Sequence, residues 1–228
     1  MIWLIVVLLL LLVIIGYLIM IQYPYHVGWT YDYLIGDSNH YCYHTVPSEL
    51  AYLEHAHSEL TSICQQVMVR NGNYLDRYYD KPTTTFYDGW DMMVLRFGYR
   101  DYWHCYPSSE ALTRLHELCN HPVIVGVSIS VLAPGKHIAP HRSPFPGMLR
   151  YQLPLIADDC EITVGGITHR YEEGKAFLFD DYLVHEVTNH STNYRWALLL
   201  DIPRYYSSYW QQSVNHFMLR TMGMILPQ

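Results

Sequence analysis

The amino-acid sequence predicts a mainly β domain, either a sandwich or a jelly roll, with flanking helices and an N-terminal transmembrane helix. Three observations predict this fold class. An almost unbroken apolar run extends from Ile2 to Ile21. Apolar residues then recur at helical spacing in segments 47–70 and 108–122. From Val123 to Ile202, short apolar segments are separated by Gly, Pro, Asn and Asp clusters, which is typical of strands in these β folds.

The N-terminal run is predicted to be a single-pass membrane anchor over residues 1–22. Its length of about 20 residues is what an α-helix needs to cross a bilayer, and the first charged side chain is Asp32. A cleaved signal peptide is the main alternative, but the run has no basic residues before it and no small-residue cleavage site after it. The side of the membrane stays open because the first basic residue is Arg70.

Residues 23–122 are predicted to form a helical and mixed region that flanks the β core. Five aromatic residues follow the anchor, namely Tyr23, Tyr25, Trp29, Tyr31 and Tyr33. These fit either an interfacial belt or packing against the domain. A helix is expected from Pro47 to about Arg70, and Ser109 is expected to begin a second helix that Pro122 ends.

Residues 123–203 are predicted to form the β core. The expected strands are 123–132, 148–156, 161–164, 167–171, 176–179, 184–188 and 195–202. Residues 204–228 are predicted to be a C-terminal amphipathic helix, with helical spacing from about Tyr206 to Met222. We expect that helix to lie either on the domain or on the membrane surface.

Charge and cysteine content narrow the function classes. The formal net charge is -7 and the 14 Lys and Arg residues are scattered, so no nucleic-acid partner is expected. The five cysteines form no CxxC pair, and their odd number argues against a fully paired disulfide framework.

Two histidines and one arginine of the β core form a pattern that suits an iron oxygenase. Fe(II) takes imidazole and carboxylate ligands on one face and keeps open positions for co-substrates. His141 follows a rigid Ala139-Pro140 step, and His185 lies on a separate predicted strand. Arg195 follows His185 after a short polar turn. A hairpin there would place its planar guanidinium, which binds carboxylates bidentately, in the same pocket.

The segments around these positions resemble a known family. The stretch His-Arg-Ser-Pro-Phe-Pro-Gly-Met-Leu-Arg-Tyr-Gln-Leu-Pro-Leu at 141–155 is similar to the signature of the aspartyl/asparaginyl β-hydroxylase family. Segments 173–175, 179–181 and 185–187 are similar to it as well, and the similarity runs from about Ser130 to Asp201. The resemblance implies a double-stranded β-helix core, Fe(II) as the metal, and 2-oxoglutarate and O2 as co-substrates.

The resemblance also implies which residues hold the metal and the co-substrate. His141 and His185 match the two iron ligands. Arg195 and Ser130 match the groups that hold the far carboxylate of 2-oxoglutarate. Gln152 stands where the family has a His that touches the co-substrate, and its amide can still donate a hydrogen bond there.

Two more residues match the reacting side of the family's pocket. Arg150 matches an Arg that faces the active site and pairs with an acidic substrate group, and Asp181 matches an acid that reaches the metal through water. Ser143 stands where most 2-oxoglutarate oxygenases have a third, carboxylate ligand, and animal aspartyl hydroxylases also lack that acid. The resemblance therefore implies only two protein ligands to the iron.

The implied substrate is an aspartyl or asparaginyl side chain of a protein or peptide. The anchor, the His-Arg-x-Pro start of the motif and its Gly-x-Leu-Arg-Tyr ending are instead similar to membrane-bound lipid A hydroxylases, so a membrane lipid acyl chain is the alternative. A non-catalytic β-sandwich binding protein is the second alternative. A zinc hydrolase built on His137, His141 and His185 is disfavoured, because Pro140 would break a helix between the first two.

Overall fold

The computed structural model describes residues 16, 22–35, 40–70 and 89–225, and within them the chain is mainly β, as predicted. Eleven strands are present in these residues: β1 Tyr43–His44, β2 Trp90–Phe97, β3 Arg100–Asp101, β4 Gly126–Leu132, β5 His137–His141, β6 Met148–Ile156, β7 Cys160–Val164, β8 Ile167–Arg170, β9 Phe177–Phe179, β10 His185–Asn189 and β11 Arg195–Pro203. All of their pairings are antiparallel.

The strands form two sheets. The major sheet has the order β1-β9-β6-β11-β4-β2-β3, and the minor sheet has the order β5-β10-β7-β8. The eight strands β4 to β11 contribute four strands to each sheet, which is the arrangement of a jelly roll. Strands β1, β2 and β3 lie outside segment 123–203 in sequence but extend the major sheet on both edges.

Most predicted strands are found within two residues of their expected ends, but two stretches differ. β4 begins at Gly126 rather than 123, because a turn closed by the hydrogen bond from Ile124 N–H to the His121 carbonyl comes first. β5, which contains Pro140, was not predicted as a strand. It lies at the edge of the minor sheet, where a residue without an N–H is tolerated.

Five α-helices flank the sheets in the described residues: α1 Pro24–Leu34, α2 Ala51–His55, α3 His57–Arg70, α4 Glu110–Leu118 and α5 Tyr209–Ile225. The predicted helix at 47–70 is interrupted at Ala56 and preceded by a 3-10 turn. The predicted start of α4 is confirmed, because the Ser109 side chain accepts a hydrogen bond from Leu112 N–H at 3.1 Å. The C-terminal helix begins three residues later than expected.

Strand alternation separates an apolar outer face of the major sheet from an inner face on which polar side chains lie among apolar ones such as Phe177 and Phe179. On β11, Leu198 and Leu200 join the core that α2, α3 and α4 build on the outer face. The residues on either side of Leu198 and Leu200 in β11 point their side chains into the jelly roll, because successive residues of a strand face opposite sides. Arg195 and Leu199 are therefore directed to the interior, where they line a common cavity.

Helix α1 packs against the C-terminal helix α5 and against Phe145. Tyr31 is buried, its ring centroid lies 4.7 Å from that of Phe145, and its hydroxyl donates to Asn215 of α5 at 3.1 Å. The other four aromatic residues of this stretch are exposed. One of the five aromatic residues thus packs on the domain, and for the four exposed ones the interfacial belt stays a prediction.

The predicted membrane anchor at 1–22 falls almost entirely outside the described residues. Among the helices that the structure does describe, none combines the length and the apolar character required to cross a bilayer.

Candidate functional site

His141 and His185 meet across adjacent strands of the minor sheet. They are register partners in the β5–β10 pairing, and their ring centroids are 4.2 Å apart. The register shifts between His185 and Val187, so that Ala139 and Pro140 together oppose one residue of β10. This β-bulge puts His141 and Ile138, three residues apart, on the same cavity wall.

Both imidazoles present the same nitrogen for metal binding. His141 Nδ1 lies 2.8 Å from the Ala139 carbonyl oxygen, and His185 Nδ1 lies 2.9 Å from the Leu183 carbonyl oxygen. A carbonyl oxygen only accepts, so each Nδ1 must carry the proton and each Nε2 must carry a lone pair. A backbone carbonyl that fixes the tautomer in this way is the usual support of a metal-binding His.

Burial keeps His141 in the state that metal binding requires. Burial lowers the pKa of His141, and the neighbouring His185 lowers it further. Both effects favour the neutral imidazole, which is the form that coordinates a metal.

Arg195 is a buried cation with unusually few partners. Its side chain is 2% exposed, and its Nη1 donates to Ser130 Oγ at 3.2 Å. Its Nε has no hydrogen-bond partner in the described part of the chain. Burial also lowers the pKa of Arg195, because no nearby carboxylate offsets the loss of water. An unmatched buried guanidinium of this kind is suited to a bound carboxylate.

Ser130 and Gln152 lie beside this guanidinium on neighbouring strands. Ser130 Oγ accepts hydrogen bonds from Arg195 and, at 3.0 Å, from Trp90 Nε1. Its own proton therefore remains available to an acceptor. Gln152 Nε2 donates to the Tyr171 hydroxyl at 2.9 Å, and the Arg195 guanidinium lies 5.9 Å from the centre of the Tyr171 ring.

Arg150 lies in the same cavity but is tied to two buried acids. Its guanidinium is 3.1 Å from Asp181 Oδ2 and 2.9 Å from Asp201 Oδ1. Burial alone would lower the pKa of Arg150, but the two carboxylates outweigh it and raise the pKa. The expected pairing of Arg150 with an acidic substrate group would have to compete with these internal partners.

Asp181 brings an unsatisfied oxygen to the histidine pair. Its Oδ1 lies 3.3 Å from His185 Nε2 but has no hydrogen-bond partner among the described residues. Since His185 carries its proton on Nδ1, the facing nitrogen and oxygen both present lone pairs. Two lone pairs at this separation suit a cation or a bound water that both can contact.

Two candidate ligands are directed away from the cavity. The Ser143 hydroxyl accepts a hydrogen bond from Phe145 N–H at 3.4 Å. The backbone N–H of Ser143 donates to the Asp181 carbonyl at 2.7 Å. His137 is exposed and pairs with Glu186 at 2.9 Å. The zinc site of His137, His141 and His185 is therefore not formed in this structure.

The cavity between the two sheets has a volume of about 30 Å³. It is lined by Trp90, Ser130, Ile138, His141, Arg150, Gln152, Ile162, Phe179, His185, Val187, Arg195 and Leu199. Six of the seven sequence-predicted site residues line it and come from five different strands, and the seventh, Asp181, adjoins it through Arg150. A volume close to that of one water means that side chains must move for a dicarboxylate to enter.

Sequence reasoning missed three residues of this site. Trp90 stacks near His141 at 5.6 Å between ring centroids, Tyr171 holds Gln152, and Asp201 holds Arg150. Asp201 carried a usable signal, because a lone acid at the end of the apolar run 197–202 is costly to bury without a partner. Trp90 carried none, since its strand was not predicted.

The aspartyl/asparaginyl beta-hydroxylase family model matches residues 53–205. The chain belongs to this family. The match covers the helices on the outer face of the major sheet as well as the complete jelly roll, so this member keeps the family's sequence pattern well beyond the motif at 141–155.

Individual relatives align with this family member over shorter stretches. It is 38% identical to the ornithine lipid ester-linked acyl 2-hydroxylase of Rhizobium tropici over 35% of this chain and 30% of that protein. It is 33% identical to the aspartyl/asparaginyl beta-hydroxylase of Mus musculus over 33% of this chain and 10% of that protein. The aligned region thus spans less than a third of either relative. A solved cupin domain of Schizosaccharomyces pombe Cnp3 is 10% identical, with a TM-score of 0.35, over 54% of this chain and 71% of that one.

The donor set of this family member fits a metal with two imidazole ligands and a dicarboxylate co-substrate. The two imidazole rings lie 4.2 Å apart at their centroids, and the unpaired Asp181 Oδ1 lies 3.3 Å from His185 Nε2. Arg195, whose Nε has no hydrogen-bond partner among the described residues, lines the same cavity. In the part of the chain that the structure describes, no group of three or more His, Cys, Asp or Glu residues is arranged to hold a metal. A two-histidine site that completes its coordination with co-substrate and water agrees with that finding.

Proposed function

We propose that this chain is an Fe(II)- and 2-oxoglutarate-dependent hydroxylase. The observation that carries the proposal is the convergence of two imidazole lone pairs and one unmatched buried guanidinium in a single cavity. His141 and His185 would hold the iron, and Arg195 with Ser130 would hold the far carboxylate of 2-oxoglutarate. When bound, these groups supply the oxidising power that inserts an oxygen atom of O2 into a C–H bond, with succinate and CO2 as products.

The protein's own side chains would orient the reactants and keep water out. The Ala139 and Leu183 carbonyls fix the two imidazoles, and Asp181 would hold a water beside His185. Apolar side chains from both sheets, including Ile162 and Phe179, form the remaining walls. These walls lower the local dielectric constant, which strengthens the contact between Arg195 and a carboxylate.

For the substrate, the arrangement around Arg150 favours a membrane lipid acyl chain over a peptidyl acid. Arg150 is the residue expected to meet an acidic substrate, yet Asp181 and Asp201 already neutralise it. The Rhizobium tropici relative is named as an acyl 2-hydroxylase of an ester-linked lipid. The apolar run that precedes α1 would hold the domain at a bilayer, where such a chain is available.

An aspartyl or asparaginyl side chain is the second candidate substrate. The Mus musculus relative is named as an aspartyl/asparaginyl beta-hydroxylase, and the absence of an acid at Ser143 is a feature that animal aspartyl hydroxylases share. Displacement of Asp181 from Arg150 by a substrate carboxylate would make this reaction feasible.

Metal binding tests the proposed function directly. We expect anaerobic titration of the full chain with Fe(II) to show one site, and His141→Ala or His185→Ala to abolish it. His190→Ala, which removes an exposed histidine paired with Glu161, is the matched control and should bind Fe(II) like the wild type. Fe(II) binding that survives both ligand substitutions would refute the assignment.

Mass spectrometry distinguishes the two substrate classes. The full chain is incubated with Fe(II), 2-oxoglutarate and either membrane lipid extract or peptides that contain Asp and Asn. We expect 2-oxoglutarate-dependent addition of oxygen to a lipid acyl chain. Oxygen added only to peptides would reverse the order of the two candidates while leaving the proposed reaction intact.

A further inference from the structure

Arg142, the residue after the metal-site residue His141, is surrounded by aromatic rings. Its guanidinium carbon lies 5.6 Å from the centre of the Tyr25 ring, 5.4 Å from that of Trp29 and 5.6 Å from that of Tyr182. Tyr25 and Trp29 belong to α1, and Tyr182 follows Asp181 directly. A cation that stacks on ring faces is held in place while its N–H edges remain free to donate.

No acid in the described part of the chain pairs with Arg142. Its contacts there are the three rings and the hydrogen bond that its backbone carbonyl accepts from the Tyr25 hydroxyl. Two acids that act electrostatically on the Tyr182 hydroxyl of this cluster already have partners. Asp32 pairs with His40 at 3.1 Å, and Asp180 pairs with both His40 and Arg204 at 2.6 Å. The donors of Arg142 are therefore available to an anion from outside the protein.

The position of α1 beside Arg142 is built into the packing. A Cβ on Gly28 would lie 1.9 Å from the Pro144 carbonyl oxygen, so only glycine allows the helix to approach this closely. The Tyr25 hydroxyl donates to the Arg142 carbonyl at 3.4 Å. On the next turn, Tyr31 is buried against Phe145. Both α1 rings are thus fixed over Arg142 rather than placed there by a loose surface contact.

The outward side of α1 has the character of a membrane interface. Tyr25, Trp29 and Tyr33 recur every four residues and are 44%, 51% and 88% exposed. The apolar run from Ile2 to Ile21 ends two residues before Tyr23, so a bilayer-spanning run would leave α1 at headgroup depth. Tyr and Trp are the residues that favour that depth, where one end of the ring is apolar and the other is hydrated.

We propose that Arg142, together with Tyr25 and Trp29, forms a subsite at the rim of the cavity that binds the anionic headgroup phosphate of a membrane lipid. The inference rests on the proposed function, in which an acyl chain of that lipid reacts at the metal site. Arg142 is adjacent in sequence to His141, so the subsite suits a lipid whose reacting carbon lies only a few bonds from its headgroup. A carbon next to the ester carbonyl meets that condition, whereas one deep in the acyl chain does not.

Binding of a short-chain lipid tests the subsite without any need for turnover. The full chain in a neutral detergent is titrated with dihexanoyl phosphatidylglycerol below its micelle concentration, in the absence of iron, and tryptophan fluorescence reports binding. We expect Arg142→Gln to weaken binding about tenfold, as loss of one charge-assisted contact implies. Arg142→Lys, which keeps the charge, should lose less. Arg170→Gln, an equal charge change on exposed β8, should leave binding unchanged.

Three results would overturn the subsite. One is equal affinity of the wild type and Arg142→Gln for the lipid. Another is inorganic phosphate that binds as tightly as the lipid, which would indicate a general anion site. The third is an Asp-containing peptide whose binding, unlike that of the lipid, depends on Arg142. Because no iron is present, failure of the proposed function would appear only in the Fe(II) titration and would leave this measurement interpretable.

Discussion

Two arginines near the proposed metal site differ in how their charge is compensated. Arg150 lies between Asp181 and Asp201, so its charge is matched inside the protein. Arg195 is buried with a serine hydroxyl and an aromatic ring as its nearest partners. Since burial of an unmatched ion is costly, the two residues suit different tasks. Arg150 stabilises the cavity wall, whereas Arg195 suits an anion that arrives from solution.

Arg195→Lys tests that difference at a single position. Lysine keeps the positive charge but replaces a planar fork with a point charge, so one of two parallel hydrogen bonds to a carboxylate is lost. We expect the affinity for 2-oxoglutarate, measured by anaerobic calorimetry with Fe(II) present, to fall about tenfold or more. Arg170→Lys on exposed β8 is the control. An unchanged affinity would mean that another cation holds the co-substrate.

At the scale of single elements, the family resemblance, rather than strand alternation, predicted Ser130 and Gln152. Both line the same cavity as the predicted trio of His141, His185 and Arg195. The bulge that directs His141 inward was not predictable from the pattern, because Pro140 removes the strand signal from β5. The β2 strand was missed because residues 89–107 were predicted only as part of the helical and mixed flanking region, and Trp90 was missed with it.

A half-buried histidine, His40, links α1 to the β core. His40 Nδ1 lies 2.6 Å from Asp180 Oδ2, and His40 Nε2 lies 3.1 Å from Asp32 of α1. The hydrogen bond to Asp180 raises the pKa of His40, although burial opposes it. Burial would raise the pKa of Asp180, but His40 and Arg204 together lower it, so this acid remains charged. The protonated imidazole thus joins two carboxylates.

This link predicts that α1 loosens as the pH rises. The folded pKa of His40 lies above its unfolded value, so the stabilisation is complete below about pH 6.5 and is lost as the pH rises through the folded pKa. We expect amide hydrogen exchange in α1, corrected for its intrinsic pH dependence, to be faster at about pH 8.5 than at about pH 5.5. His40→Gln should remove this difference and exposed His55→Gln should keep it. Equal protection of α1 in the wild type at both pH values would show that the link does not hold the helix.

At the scale of the whole molecule, the two terminal helices pack together on one side of the jelly roll. Gln211 of α5 donates to the Ile35 carbonyl at the end of α1 at 2.7 Å, and Tyr31 joins Leu219 in a small core of its own. Each helix also exposes aromatic residues, including Trp29 on α1 and Trp210 on α5. The sequence predicted an amphipathic C-terminal helix but not its contact with α1, since no local pattern encodes which helices pack together.

If this side of the molecule faces the bilayer, its tryptophans should be accessible to lipid. We expect tryptophan emission of the full chain in vesicles to be quenched by lipids brominated near the headgroup end of the acyl chain, and less by lipids brominated near the methyl end. Trp29→Phe and Trp210→Phe should each reduce the quenched fraction. Trp103→Phe, on the 3-10 turn between β3 and α4, should not change it. Quenching that all three substitutions leave equally intact would mean that the terminal helices face water, and a lipid would then have to reach the cavity from another side.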